Sequence, residues 1–222
     1  MSSPPQSVSF DAERNRMVQS QLRLRGVRDE RTLDAMMRVP RHQFVPDRYQ
    51  AQAYEDHPIP IGFGQTISQP YIVALMLEAL SPQPSDRVLE VGTGSGYQTA
   101  LLAELAAQVY SIERHAPLAQ NAESVLRSLG YSNVTVLVGD GSKGLPEKAP
   151  FDAIIVSAAA PQLPAALFHQ LTEGGRMIVP VGPPETQELQ LIRKRDGGPA
   201  VSHLEGCRFV PLIGGEGYAS DE

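Results

Sequence analysis

The sequence predicts an α/β protein: a doubly wound, mostly parallel sheet with an antiparallel edge hairpin and extra N-terminal helices. Three observations predict it. From Arg87 onward, short apolar runs of strand length alternate with longer segments of helical character, the order that builds a parallel sheet with helices on both faces. The stretch Val88-Leu89-Glu90-Val91-Gly92-Thr93-Gly94-Ser95-Gly96-Tyr97 joins the first run to the first of those helices through a glycine-rich turn. The final apolar runs, Leu189–Arg195 and Cys207–Leu212, have no helical segment between them, so they are expected to pair antiparallel.

Residues 1–10 read as a loose tail with two prolines and neither a basic nor an apolar leader segment, so no signal peptide is expected. Asp11–Arg25 and Asp29–Arg38 lack internal Gly and Pro and read as two helices, with Gly26 stopping the first and Asp29 capping the second. Val39–Gln69 holds Pro40, Pro46, Pro58, Pro60, Gly62 and Gly64, which excludes long regular elements. Pro70–Leu80 carries Ile72, Leu75, Met76 and Ala79 at helical spacing, with Pro70 suited to a first turn. Beyond Ser81-Pro82-Gln83-Pro84 the alternation is Arg87–Val91 strand, Gly96–Ala107 helix, Val109–Ile112 strand, Pro117–Leu129 helix and Val134–Val138 strand. Phe151–Val156 follows as a strand, Leu163–Leu171 as a helix, and Arg176–Val181 as the strand before the edge hairpin. The organisation expected is a helical and loop region over 11–80 packed on a core over 81–213, with a polar tail over 214–222, in one domain overall.

A chain of 222 residues with 41% hydrophobic and 20% charged residues is long enough for one substantial core and too polar for an integral membrane protein. The net charge of −6 offers no general attraction to nucleic acid or to an anionic membrane. Arginines crowd the N-terminal region, but acids are interleaved with them, as on a solvated helical surface. With Cys207 as the single cysteine, neither an internal disulfide nor a multi-cysteine metal site can form. A cytoplasmic monomer without a metal is expected.

The glycines at 92, 94 and 96 miss the dinucleotide spacing G-x-G-x-x-G, because Tyr97 stands where its third glycine would be. Glu90, a polar residue at the end of an apolar strand, also sits poorly beside a pyrophosphate. Both details suit the loop of S-adenosyl-L-methionine enzymes, whose ligand has no phosphate, and Glu90, Gly92, Thr93, Gly94, Ser95 and Gly96 are the expected cofactor contacts. Glu113, ending the second strand, lies where such sheets bind ligands and can accept from both ribose hydroxyls. Asp140, after the third strand, is placed to hold the adenine amine, with Gly141 beside it. Each acid alone suits a loop or cap equally well; their order on successive strand ends favours ligand contact.

Gly64-Gln65-Thr66-Ile67-Ser68-Gln69-Pro70 has too many breakers for a packed element and leads into a helix, where an isolated serine would ordinarily serve as a cap. Together with the loop Leu89–Thr99, Gly139-Asp140-Gly141, Phe151–Val156 and Arg208-Phe209-Val210-Pro211-Leu212, it resembles the protein-L-isoaspartate O-methyltransferase family from about Val18 to Leu212. The resemblance implies a Rossmann-like S-adenosylmethionine-dependent methyltransferase that yields S-adenosyl-L-homocysteine and esterifies isoaspartyl residues of damaged proteins, opening repair through a succinimide. It implies Ser68 as the active-site serine and Thr66, Ile67 and Ser68 as substrate contacts. Some members place Thr and Gln after the Val-Pro-Leu segment, whereas Ile213 and Gly214–Tyr218 follow here, so no C-terminal contact is assigned.

An α-carboxylate is ionised at neutral pH and needs no strong base to attack a methyl group, and the scattered His42, His57, His115, His169 and His203 form no catalytic or metal-spaced pair. Ser68, aided by amides at a helix N-terminus, would orient one carboxylate oxygen while the other attacks. A methyltransferase for RNA or a small molecule, a nicotinamide-binding oxidoreductase and a non-catalytic nucleoside-binding module are the rival readings.

Overall fold

The computed structural model describes residues 9–219; residues 1–8 of the tail expected over 1–10, and residues 220–222, lie outside it. The first helix, α1, spans Phe10–Arg16, so Phe10 belongs to the helix and stacks on His42 at 4.0 Å. It continues through a wider π-helical turn, Met17–Leu22, and a tight turn, Arg23–Arg25, before Gly26 ends it at φ +102°. Helix α2, Glu30–Arg38, is capped by Asp29, whose carboxylate accepts from the Thr32 amide. The proline-rich stretch forms short helical turns and a small hairpin, β1 (Ile59–Gly62) with β2 (Gln65–Ile67). Helix α3, Pro70–Leu80, follows with Pro70 in its first turn.

The alternating region folds as β3 (Arg87–Val91), α4 (Tyr97–Leu105), β4 (Gln108–Glu113), α5 (Ala116–Ser128), β5 (Val134–Val138), β6 (Phe151–Val156), α6 (Ala165–His169), β7 (Leu171–Val181), β8 (Gln187–Arg195) and β9 (Gly198–Cys207). The seven strands stand in the order β5-β4-β3-β6-β7-β8-β9, parallel through β7 and antiparallel thereafter. The chain starts at β3, builds outward to β5, then returns to β6 on the other side of β3. A crevice opens there at the carboxyl ends of the strands.

The outer elements depart from expectation in two places. Helix α6 is shorter than Leu163–Leu171, because the Phe151 amide takes the Gln170 carbonyl and Leu171 is already paired with Phe151 in the sheet. The edge strand is Gly198–Cys207 and not Cys207–Leu212. The Asp196-Gly197 turn, with φ of +52° and +74°, reverses the chain tightly after β8, as an Asp-Gly pair does in a two-residue hairpin. Residues 208–212 instead cross the carboxyl ends of the strands. Val210 and Leu212 bracket Ala159 through two backbone hydrogen bonds, while Pro211 between them has no N–H to continue a ladder.

Both sheet faces are buried. Met17, Leu22, Leu33, Met36 and Leu77 from the N-terminal helices pack with Val88, Val109 and Ile155 on one side. Leu89, Ile154, Phe168, Met177 and Leu212 fill the other.

Candidate functional site

A cavity of about 680 Å3 occupies the crevice. Its floor is the glycine loop, where Gly92, Gly94 and Gly96 adopt φ of +95°, +54° and +89°, a backbone that side-chain-bearing residues rarely take. Four of the loop's amides are already spent: Gly92 and Thr93 donate to Ile112 O, Gly96 donates to Thr93 O, and Gly94 donates to Glu113 Oε2 at 2.9 Å. A pyrophosphate cradle needs such amides free, so the turn suits a ligand without phosphate.

Glu113 is 5% exposed and lines the cavity at the end of β4. Amides of Gly94 and His115, each at 2.9 Å, fix its two oxygens. The remaining lone pairs can accept from a vicinal diol. Gly141, after the neighbouring strand β5, also lines the cavity; a Cβ on it would lie 2.6 Å from Val91 Cγ1, so only glycine lets this loop close on the sheet. Thr93 and Ser95 also line the cavity, Thr93 locked by a 2.5 Å bond to Ser111 Oγ. An acid held for a diol, apolar walls from Val91, Ile112 and Ile213, and no free phosphate cradle fit an adenosine-bearing sulfonium cofactor.

Thr66, Ile67 and Ser68 line the same cavity. The capping alternative for Ser68 does not describe the molecule, since Gln69 occupies the N-cap of α3. Gln69 Nε2 is tied to Asp56 O and Oδ2, and Asp56 Oδ1 accepts from the Tyr71 amide, so the turn into α3 is fixed from beneath.

Three expected contacts are not in the cavity wall. Glu90 is fully buried behind it, accepting from Gln98 Nε2, Thr99 Oγ1 and Ser111 Oγ. It clamps the glycine turn and α4 to β4, and burial pushes its carboxyl up to about 7 despite those bonds. Gly96 faces α5, where an added Cβ would stand 3.1 Å from Ala122 Cβ. Asp140 accepts from Ser142 N, Ser142 Oγ and Gly215 N. Partial burial works against its charge, yet those bonds hold its carboxyl below the usual range. The C-terminal segment thus docks on Asp140, and the Tyr218 hydroxyl donates to Gly182 O on the far side.

Several wall residues lie outside the expected set. Ser157 follows β6 at the strand-end position and accepts from Gln98 Nε2 at 2.7 Å. The crossing segment contributes Arg208 to Ile213, and Gln69 and Ile72 extend the Ser68 side. The rule that ligands bind beyond strand ends points to Ser157; the crossing segment is marked by the Arg208–Leu212 motif, though the motif does not say that it lines the cavity. Cys207 is half-buried, with its thiol pushed up to about 11 by burial, which keeps it protonated and unreactive.

Residues 12–217 match the family model described as protein-L-isoaspartate(D-aspartate) O-methyltransferase (PCMT). A protein-L-isoaspartate O-methyltransferase of Koribacter versatilis is 58% identical over 219 residues, covering 99% of each chain. One from Methanoculleus marisnigri is 54% identical, covering 94% of this chain and 95% of its own. Among solved structures, a Plasmodium falciparum protein described as a protein-L-isoaspartate O-methyltransferase in complex with S-adenosyl-L-homocysteine superposes with a TM-score of 0.80 at 27% identity, over 93% of this chain and 99% of that one.

Proposed function

Because the chain belongs to the protein-L-isoaspartate(D-aspartate) O-methyltransferase family, we propose roles for its cavity residues in that reaction. The enzyme methylates the α-carboxylate of L-isoaspartyl residues in damaged proteins, using S-adenosyl-L-methionine. When bound, the cofactor supplies an electrophilic methyl group on a sulfonium. Glu113 would hold its ribose hydroxyls, and Gly92 to Ser95 and Gly141 would contact it along the cavity lining.

Ser68 holds the substrate. Its hydroxyl makes no hydrogen bond among the described residues while its carbonyl is engaged on the protein side, leaving the O–H to donate to a carboxylate oxygen. The second oxygen then attacks with no proton to lose, consistent with a cavity wall that contains no histidine among the described residues. Thr66, Ile67 and the crossing segment exclude water around the nucleophile. The protein acts as a cytoplasmic monomer on isoaspartyl proteins; its net charge of −6 supports the further reading that nucleic acid and anionic membranes are not its partners. No described helix is long and apolar enough to cross a membrane.

The observation that carries the assignment is that Ser68 lines one cavity with Glu113 and the glycine loop. Ser68→Ala should lower kcat on an isoaspartyl peptide by about tenfold to a hundredfold, the loss of one positioned donor, while calorimetric affinity for S-adenosyl-L-homocysteine stays within about twofold of the parent. Parent-like kcat would remove Ser68 from the mechanism.

A further inference from the structure

Two arginines are buried among the described residues, Arg176 and Arg41, and they are neutralised differently. Arg176 meets the Asp86 carboxylate. Arg41, fully buried on the turn after α2, has no carboxylate within ion-pair distance among the described residues. Its Nε donates to Ala53 O at 2.7 Å, its Nη2 donates to Ser68 O at 2.8 Å, and its guanidinium carbon lies 4.7 Å from the Tyr97 ring centre. Its Nη1 and the Tyr97 hydroxyl are buried without partners. Burying a cation without a counter-ion is expensive, and an apolar side chain would fill the same volume at lower cost. What an apolar side chain lacks is the guanidinium fork, which grips two carbonyls at fixed angles.

The Ser68 carbonyl decides where the next amide points. The 68–69 peptide is trans, and in a planar trans peptide the N–H lies opposite the C=O. With its carbonyl drawn to Arg41, outside the cavity wall, the Gln69 N–H faces the other way. Ser68 and Gln69 both line the cavity, and Gln69 is the N-cap of α3, whose amide no carbonyl of the helix claims. Tyr97 opens α4 directly after the glycine loop. The one guanidinium therefore registers the Ser68 turn against the cofactor floor.

We propose that Arg41 is a positioning residue of methyl transfer: by holding the Ser68 carbonyl it turns the Gln69 amide into the cavity beside the Ser68 hydroxyl, forming a two-donor cradle for the isoaspartyl carboxylate. The proposal rests on the reading of Ser68 as the carboxylate donor.

The test uses the full chain with Arg41→Met and Arg41→Lys, assayed for kcat and KM on an isoaspartyl peptide and for S-adenosyl-L-homocysteine affinity by calorimetry. Arg41→Met removes a buried charge, which offsets the Ala53 and Ser68 carbonyls it leaves without a donor, so it should melt near the parent temperature yet lose about tenfold or more in kcat, with cofactor affinity within about twofold. Arg41→Lys keeps charge without the fork and should retain part of the rate at neutral pH. The groups around the site are Tyr54, Tyr97 and Asp56, and burial depresses a lysine there. Its kcat should fall further at alkaline pH, where the parent, with Arg41 lowered only to about 10, stays level. Should Arg41→Met fail to fold, the Arg41→Lys profile alone decides. Parent-like kcat and pH profile in Arg41→Lys would overturn the proposal, as would losses of cofactor affinity equal to the losses in kcat. Parent-like kcat in Ser68→Ala with a damaged Arg41→Lys would instead sink the Ser68 reading and leave Arg41 acting through the Gln69 amide alone.

Discussion

Glu90 should make the enzyme less stable as pH rises, and replacing it with glutamine should abolish that dependence. Its carboxyl is raised from 4.5 to about 7 by burial. Between those values the folded state keeps a proton that the unfolded state has released, so stability falls with rising pH. The contribution is whole below the unfolded value and is lost as pH climbs through the folded one. Over the range from pH 5 to pH 8 that loss amounts to about 2.5 kcal/mol. Other titrating groups are common to both proteins and cancel in the difference. In Glu90→Gln the new amide can keep the Thr99 and Ser111 hydroxyls on its carbonyl oxygen, while Gln98 turns its own amide over to accept from the new NH2; this repacking adds an offset independent of pH. Urea unfolding of parent and Glu90→Gln at pH 5, 6, 7 and 8 should show the variant gaining about 2.5 kcal/mol on the parent across that range, or roughly 5–10 °C in melting temperature. A difference that stays flat with pH would refute the reasoning.

Removing the diol acceptor by Glu113→Gln should weaken S-adenosyl-L-homocysteine binding by about tenfold, since one anionic acceptor is replaced by an amide; calorimetry reads this, and unchanged affinity would detach Glu113 from the cofactor. In Gly141→Ala the new methyl lies 2.6 Å from Val91 Cγ1, so the strained wall should cost about 1–3 kcal/mol of stability and weaken the cofactor, with denaturant titration and calorimetry as the checks. Asp86→Ala leaves the Arg176 guanidinium buried and unpaired, at about 3–5 kcal/mol, and a melting temperature near the parent's would contradict this. Asp140→Ala should free the C-terminal segment, raising hydrogen exchange at the Gly215 and Glu216 amides; equal protection in variant and parent would mean the segment is held elsewhere.

The parallel core was legible because β3, β4 and β6 are short, largely buried apolar runs, β5 is a mostly apolar run at the sheet edge, and the glycine loop fixes the first strand–helix junction. The edge was misread for a physical reason. Residues 198–207 form an exposed edge strand with little hydrophobic signal, whereas Phe209 to Leu212 are apolar because they cover the crevice. The Asp196-Gly197 pair was the available hairpin signal. At the site, Glu113, Gly92 to Ser95, Gly141 and Thr66 to Ser68 meet in one cavity. Glu90, Gly96 and Asp140 share the sequence neighbourhood but serve the scaffold. Strand-end position does not say whether a side chain faces the ligand or a neighbouring hydroxyl or amide. Arg41 carries no local signal either, since its partners, Ala53, Ser68 and Tyr97, are distant in sequence.

The central claim is that one cavity presents an isoaspartyl carboxylate to a methyl donor. It is tested most directly by transfer of labelled methyl from S-adenosyl-L-methionine to a peptide with a single isoaspartyl linkage and to its normal aspartyl twin. Labelling of the isoaspartyl peptide should be stoichiometric and that of the twin should stay at background. Equal labelling of the two, or none of either, would contradict the claim.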